Sequence, residues 1–238
     1  MNELDPRATT PALDMYDERN GFKPPPGATS YADEWLTGYR AAQRARVVRL
    51  DAIARHHIAE ARSGRVATDA PDFAQAPADL RRFAQRRMMA PRLMVVYRTL
   101  ANPNYYDLAL EPSERASGSI FAARPDRFNY HAFGLSRIVT PDAWLSTWSG
   151  LSSYANLARN LPRVTVPTIV VGAMADQDIF LADVRTEYEQ SGAPDKRLEL
   201  ISGADHFMRA GGANSALGDP RPRLMDLLTG WTRERFVP

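Results

Sequence analysis

The stretch Val166-Pro167-Thr168-Ile169-Val170-Val171-Gly172-Ala173-Met174-Ala175-Asp176 opens after a proline, runs through β-branched residues and closes on small ones and an aspartate. A run of this kind has the form of a parallel strand buried on both faces. A helix-like segment from Leu181 to Gln190 follows, then the turn Ser191-Gly192-Ala193-Pro194 and a second run, Arg197-Leu198-Glu199-Leu200-Ile201. The pattern is a βαβ unit, whose two strands are parallel and whose C-terminal loops leave the same sheet edge, where open α/β folds bind ligands. Asp176 and His206 leave those two ends. A polar glycine-rich stretch from Gly211 to Pro220 then leads into a closing amphipathic helix with Leu224, Leu227, Leu228 and Trp231 on one side.

Upstream, residues 1–29 hold Pro6, Pro11 and Pro24-Pro25-Pro26-Gly27 without helical or alternating period, and read as an irregular lead-in. From Ser30 and Asp33 a stripe of Tyr39, Ala42, Val47, Leu50, Ile53, Ala54, His57, Ile58 and Ala61 predicts a helix of about 30 residues. Arg44, Arg55 and Arg62 fall on its opposite face, and Ser63-Gly64 is expected to stop it. A shorter helix is expected from Asp79 to Met89. Leu93 to Tyr97 fits either a strand or a buried helical turn, because periodicity does not separate the two. Residues 102–136 are irregular and carry scattered aromatics. Pro141 is expected to open a helical segment through Trp144, Leu145 and Trp148 toward Leu157 and Leu161.

The chain of 238 residues is 44% apolar and 24% charged, the composition of a folded globular protein. Thirty basic residues against 28 acidic leave a formal charge of +2, which calls for no nucleic-acid partner. The run Arg81, Arg82, Arg86 and Arg87 lies in no recognisable nucleic-acid module and reads as a solvated helix face. The longest strongly apolar run, Val166 to Met174, is far shorter than the ~20 residues of a membrane span, and the start Met1-Asn2-Glu3-Leu4-Asp5 lacks a secretory signal's features. Cytoplasmic residence is the expectation. The absence of cysteine excludes disulfides, zinc–thiolate sites, iron–sulfur clusters and a cysteine nucleophile. His56 and His57 lack metal-site spacing, His57 lying on the apolar stripe as a core histidine and His56 pointing to solvent. The glycines of 203–218 lack a strand–G-x-G-x-x-G–helix context. No metal or organic cofactor is expected.

A carboxylate beside a histidine fixes the imidazole tautomer and stabilises imidazolium, which is the acid–base half of a Ser–His–Asp arrangement. Asp176 is the first candidate for the acid and Asp178 a competing one, either as the acid or as N-cap of a helix starting near Ile179. A loop histidine bonded to its neighbour Asp205 is the structural alternative for His206.

The segment 166–176, followed by helix, strand and Gly203-Ala204-Asp205-His206-Phe207, resembles the closing portion of α/β-hydrolase-fold enzymes. The resemblance covers residues 162–238 and implies a partial parallel sheet, with residues 1–161 as an irregular lead-in and a mostly helical lid or cap. It implies Asp176 as the acid and Ser–His–Asp hydrolysis of an ester, thioester or similar acyl bond. His206 takes the place of the catalytic histidine. The aromatic content of the lid-like region points to a small or medium apolar acyl compound as the substrate. Trp144, Trp148, Phe133 and Tyr154 are candidates to wall its pocket.

The family's G-x-S-x-G elbow is missing from the chain. Gly134-Leu135-Ser136-Arg137-Ile138 and Gly150-Leu151-Ser152-Ser153-Tyr154 each match half of it. The expectation is therefore the C-terminal part of a longer hydrolase, with a missing N-terminal half or a partner chain supplying the nucleophile. An inactive remnant or binding module is the alternative.

Overall fold

The computed structural model describes residues 10–236. In chain order the helices and strands are α1 (Asp33–Thr68), α2 (Ala78–Met89), β1 (Met94–Val95), α3 (Pro125–Phe128), β2 (Ile138–Val139), α4 (Pro141–Ala143), α5 (Leu157–Asn160), β3 (Thr168–Ala173), α6 (Leu181–Gln190), β4 (Lys196–Ile201) and α7 (Arg221–Phe236). The architecture is mixed α/β, with two small sheets among the described residues: β1 antiparallel to β2, and β3 parallel to β4. No helix among the described residues is long and apolar enough to cross a membrane.

The chain forms two compact units that interleave along the sequence. Among the described residues, one comprises 10–13, 37–99 and 129–156; the other comprises 14–36, 100–128 and 157–236. The sequence division at 161/162 runs differently, because contacts formed by 14–36 and 100–128 are long-range and leave no local pattern.

In the first unit the predicted stripe on α1 is the packing face. Leu50, Ile53 and Ala54 are buried with Met94, Val96, Val139 and Trp144. The short run at 93–97 supplies β1, paired through Met94 with Val139 and Val95 with Ile138. The carboxylate of Asp51, 7% exposed, lies beside this core. A buried carboxylate must be hydrogen-bonded, and Trp144 Nε1 donates to its Oδ1 (2.8 Å) while the Ser149 and Ser152 hydroxyls donate to its Oδ2 (3.0 and 2.5 Å).

This clasp corrects the expectation of one helical segment from Pro141 toward Leu161. The Thr140 hydroxyl caps α4 at Ala143, the chain widens to a π-helical turn over Trp144–Trp148, and the Ser149 amide donates to the Trp144 carbonyl. The helix ends there, with Ser149 and Ser152 turned to Asp51. Trp144 is a core residue, whereas Phe133 and Tyr154 are exposed. His57 is half-buried rather than in the core, its Nδ1 3.8 Å from Glu60, and Glu60 also draws Arg87 and Arg92 to 3.8 Å.

Gly64 does not stop α1. The helix continues to Thr68, and a Cβ at Gly64 would lie 2.6 Å from the Met88 amide nitrogen and 2.8 Å from the Ala84 carbonyl oxygen. Glycine there lets the backbone of α2 approach. A Cβ at Gly38 on the same helix would meet nothing within 4 Å.

In the second unit, β3 and β4 pair from Thr168 opposite Lys196 to Ala173 opposite Ile201. Ala173, Ile201 and Ala204 form a core with Val171, Met208 and Leu227 of α7 against it. A Cβ on Gly172 would sit 2.8 Å from Val184 of α6 and 2.9 Å from Leu200, so helix and sheet meet over this glycine. Tyr16, Phe22 and Tyr106 pack edge to face, and the buried Asp107 accepts the Tyr31 amide (2.9 Å).

Two glycine substitutions on α1 should have opposite signs. Gly38→Ala raises stability by about 0.5–1 kcal/mol, because the backbone entropy of glycine is removed at an open site. Gly64→Ala lowers it by about 1–3 kcal/mol through the clash with α2. Thermal or denaturant melts of the two variants measure the difference.

Candidate functional site

β3 continues past Ala173 into a tight turn: the Met174 amide donates to the Ile201 carbonyl, the Ala175 amide to Ala204, and the Asp176 amide to Ala173. The carboxylate of Asp176 is thereby held at the C-terminal end of the strand pair, 7% exposed. Its Oδ1 accepts the amides of Asp178 (2.9 Å) and Ile179 (3.0 Å). Its Oδ2 lies 2.9 Å from Nδ1 of His206. An ionised carboxylate only accepts, so the neutral imidazole carries its proton on Nδ1 and leaves Nε2 as the basic nitrogen. Asp176 and His206, placed on one sheet edge by the sequence pattern, are in hydrogen-bond contact.

His206 sits at the tip of a small closed loop. The Gly211 amide donates to the Gly203 carbonyl (2.9 Å) and the Asp205 amide to the Arg209 carbonyl (2.9 Å). Asp205 does not hold the imidazole; its carboxylate accepts the amides of Phe207 (2.8 Å) and Arg209 (2.9 Å) and the Arg209 side chain (3.0 Å). Burial pushes the Asp205 carboxyl up, but these bonds outweigh it and hold the carboxyl below the usual range. The ring of Phe207 stands edge-on to His206 at 5.0 Å.

Asp178 has a different task. It accepts the phenol of Tyr105 (2.8 Å) and the amide of Ile120 (2.6 Å), tying segment 100–128 to the loop after β3. Helix α6 runs from Leu181 to Gln190, the span the sequence pattern predicts, so Asp178 is not its N-cap; Asp183 accepts the Phe180 amide at its start. Burial, reinforced by the negative charges of Asp178 and Asp176, pushes the Tyr105 phenol well above its ordinary range.

Of the half-matching serines, Ser152 donates to Asp51 and accepts Arg55 Nη2 (2.7 Å), which commits its hydroxyl. Ser136 lies in the left-handed region (φ 53°) with its hydroxyl buried and unpaired, but it precedes a strand, the reverse of the strand-to-helix order of an elbow. Among the described residues no group of three or more His, Asp or Glu side chains is arranged to hold a metal.

Sequence reasoning missed Tyr105 and Glu114. Glu114 accepts the Ser202 hydroxyl (2.5 Å), the Gly203 amide (2.6 Å) and the Asn214 side chain (2.8 Å). The groups their side chains bond lie 73 to 100 residues away in the chain, so no local spacing signals them. Compared with protein-family models, curated proteins and solved structures, the chain matches none of them.

Replacing Tyr105 by Phe should cost about 1 kcal/mol, since Asp178 keeps the Ile120 amide but loses the phenol. The sign of the pH dependence follows from the raised phenol. Its stabilisation is fully present below the unfolded tyrosine value of about 10 and is lost as pH rises above it. Denaturant melts across the alkaline range should show Tyr105→Phe losing less stability than the parent chain.

Proposed function

We propose that the chain contributes the acid–base pair of a serine-type acyl hydrolase of the α/β-hydrolase kind. The observation that carries this reading is the Nδ1–Oδ2 contact of His206 with Asp176, at the C-terminal end of a parallel strand pair, with the other carboxylate oxygen bound by two backbone amides. Asp176 orients the ring and stabilises imidazolium. Nε2 of His206 takes the proton of a serine hydroxyl as that oxygen attacks the acyl carbon, then returns it to the leaving group. Water repeats the cycle and releases the acid. Substrates are esters, thioesters or similar acyl compounds.

The serine comes from a further polypeptide segment that pairs with β3. Thr168 and Met174 donate to carbonyls of Asp195 and Ile201, and the two-residue alternation turns the N–H and C=O of Ile169 and Val171 away from β4. No strand among the described residues covers that edge. Natural edges are guarded by charge or proline; β4 carries Lys196, Arg197 and Glu199, whereas β3 carries none of either within Thr168–Ala173. A strand added parallel to β3 ends beside Asp176 and His206, where the nucleophile is needed.

A second reading, a binding module without turnover, is favoured by the commitment of the Ser152 hydroxyl to Asp51 and Arg55. A fluorophosphonate probe, which reacts with histidine-activated serines, separates the two. The tagged chain, labelled in extract of its native cells and recovered with whatever pairs with it, should carry one serine adduct on itself or its companion. That adduct should be lost in His206→Ala and at least tenfold weaker in Asp176→Asn. An assembly that takes no adduct favours the binding module; an adduct indifferent to His206 rules the hydrolase reading out.

A further inference from the structure

The geometry points to Glu114 as the positioning residue of the Asp176–His206 pair, an inference that rests on the functional reading above. Glu114 touches both halves of the site from outside it. Its backbone amide donates to the Met174 carbonyl (3.0 Å), two residues before Asp176. Its carboxylate holds the first stem of the His206 loop through Ser202 Oγ (2.5 Å) and the Gly203 amide (2.6 Å). The same carboxylate and the Glu114 carbonyl hold the second stem, through Asn214 Nδ2 (2.8 Å) and the Ala213 amide (2.9 Å). One residue thus fixes where β3 ends and where both stems of the loop begin.

Two glycines make room for this. A Cβ at Gly212, where φ is +65°, would fall 2.2 Å from the Glu114 carbonyl oxygen and 2.5 Å from Ala175 Cβ. Gly203, at φ +73°, would place one 2.7 Å from the Asn214 carbonyl oxygen. Between the stems the loop is closed by its own bonds through Asp205 and the Gly203–Gly211 pair, so it moves as a piece. The aim of the imidazole at Asp176 is then decided at the base of the loop. Burial pushes the Glu114 carboxyl up, but the Ser202, Gly203 and Asn214 hydrogen bonds and the charge of Arg223 outweigh it and keep the group ionised at neutral pH.

Loss of the clamp lets the loop swing and the Nδ1–Oδ2 contact open, and an imidazole released from its carboxylate populates both tautomers. The tautomer is read from the ring nitrogen-15 resonances of His206, assigned against His206→Ala, at about pH 8, above the ordinary imidazole range. In the parent chain the two nitrogens should stand far apart, one protonated and one not. In Glu114→Ala they should converge toward an averaged position with far-ultraviolet circular dichroism unchanged. Glu114→Gln, which keeps one acceptor oxygen, should fall between. Asn214→Ala removes one exposed donor and should shift the resonances in the same direction by less, which keeps the test decisive if Glu114→Ala does not fold.

Unmoved resonances in folded Glu114→Ala, or in Asn214→Ala where the first variant fails to fold, overturn the clamp and leave the pair intact. Averaged resonances in the parent chain itself overturn the pair, and the clamp with it.

Discussion

The parallel register of β3 on β4 is the constraint from which the candidate site follows. Because Ala173 lies opposite Ile201, both strands run out at one level, and the turns that follow are tied by the Met174–Ile201 and Ala175–Ala204 hydrogen bonds. A carboxylate three residues past one strand and an imidazole five residues past the other are thereby brought to contact. A one-residue slip would turn every side chain of a strand to the other face of the sheet. Gly172 secures the register from the side, since α6 and Leu200 occupy the space a Cβ there would need.

Two of the buried aspartates, Asp51 and Asp176, show how similar side chains take on different work. Asp51 accepts three side-chain donors and is an organiser: it ends a helix at Trp148 and turns two serines inward. Asp176 spends one oxygen on backbone amides and directs the other at a single imidazole, which is 30% exposed. A carboxylate saturated by fixed donors stabilises structure, whereas one whose remaining oxygen faces an accessible base can support proton transfer. Asp178, two residues further, belongs with Asp51, since its oxygens serve Tyr105 and Ile120.

Elements whose residues interact at short sequence separation were legible. The α1 stripe, the βαβ order and the loops carrying Asp176 and His206 follow from periods of 3.6 and 2 and from turn residues. Where reading failed, a distant partner had intervened. Gly64 looks like a helix stop until α2 arrives over it; the 141–161 segment looks helical until Asp51 draws Ser149 and Ser152 away. Glu114 looks like any acid in an irregular stretch, because Ser202, Gly203 and Asn214 lie 88 to 100 residues on.

The sequence by itself determined the secondary elements around the site and the presence of a carboxylate and an imidazole at the ends of two parallel strands, since these depend on local patterning and on the chirality of the crossover. Tertiary structure alone decided which aspartate meets the histidine, what the irregular residues 100–128 are for, and which residue holds the histidine loop in place. Those choices rest on hydrogen bonds between groups far apart in the chain, whose geometry exists only once the backbone has closed on itself.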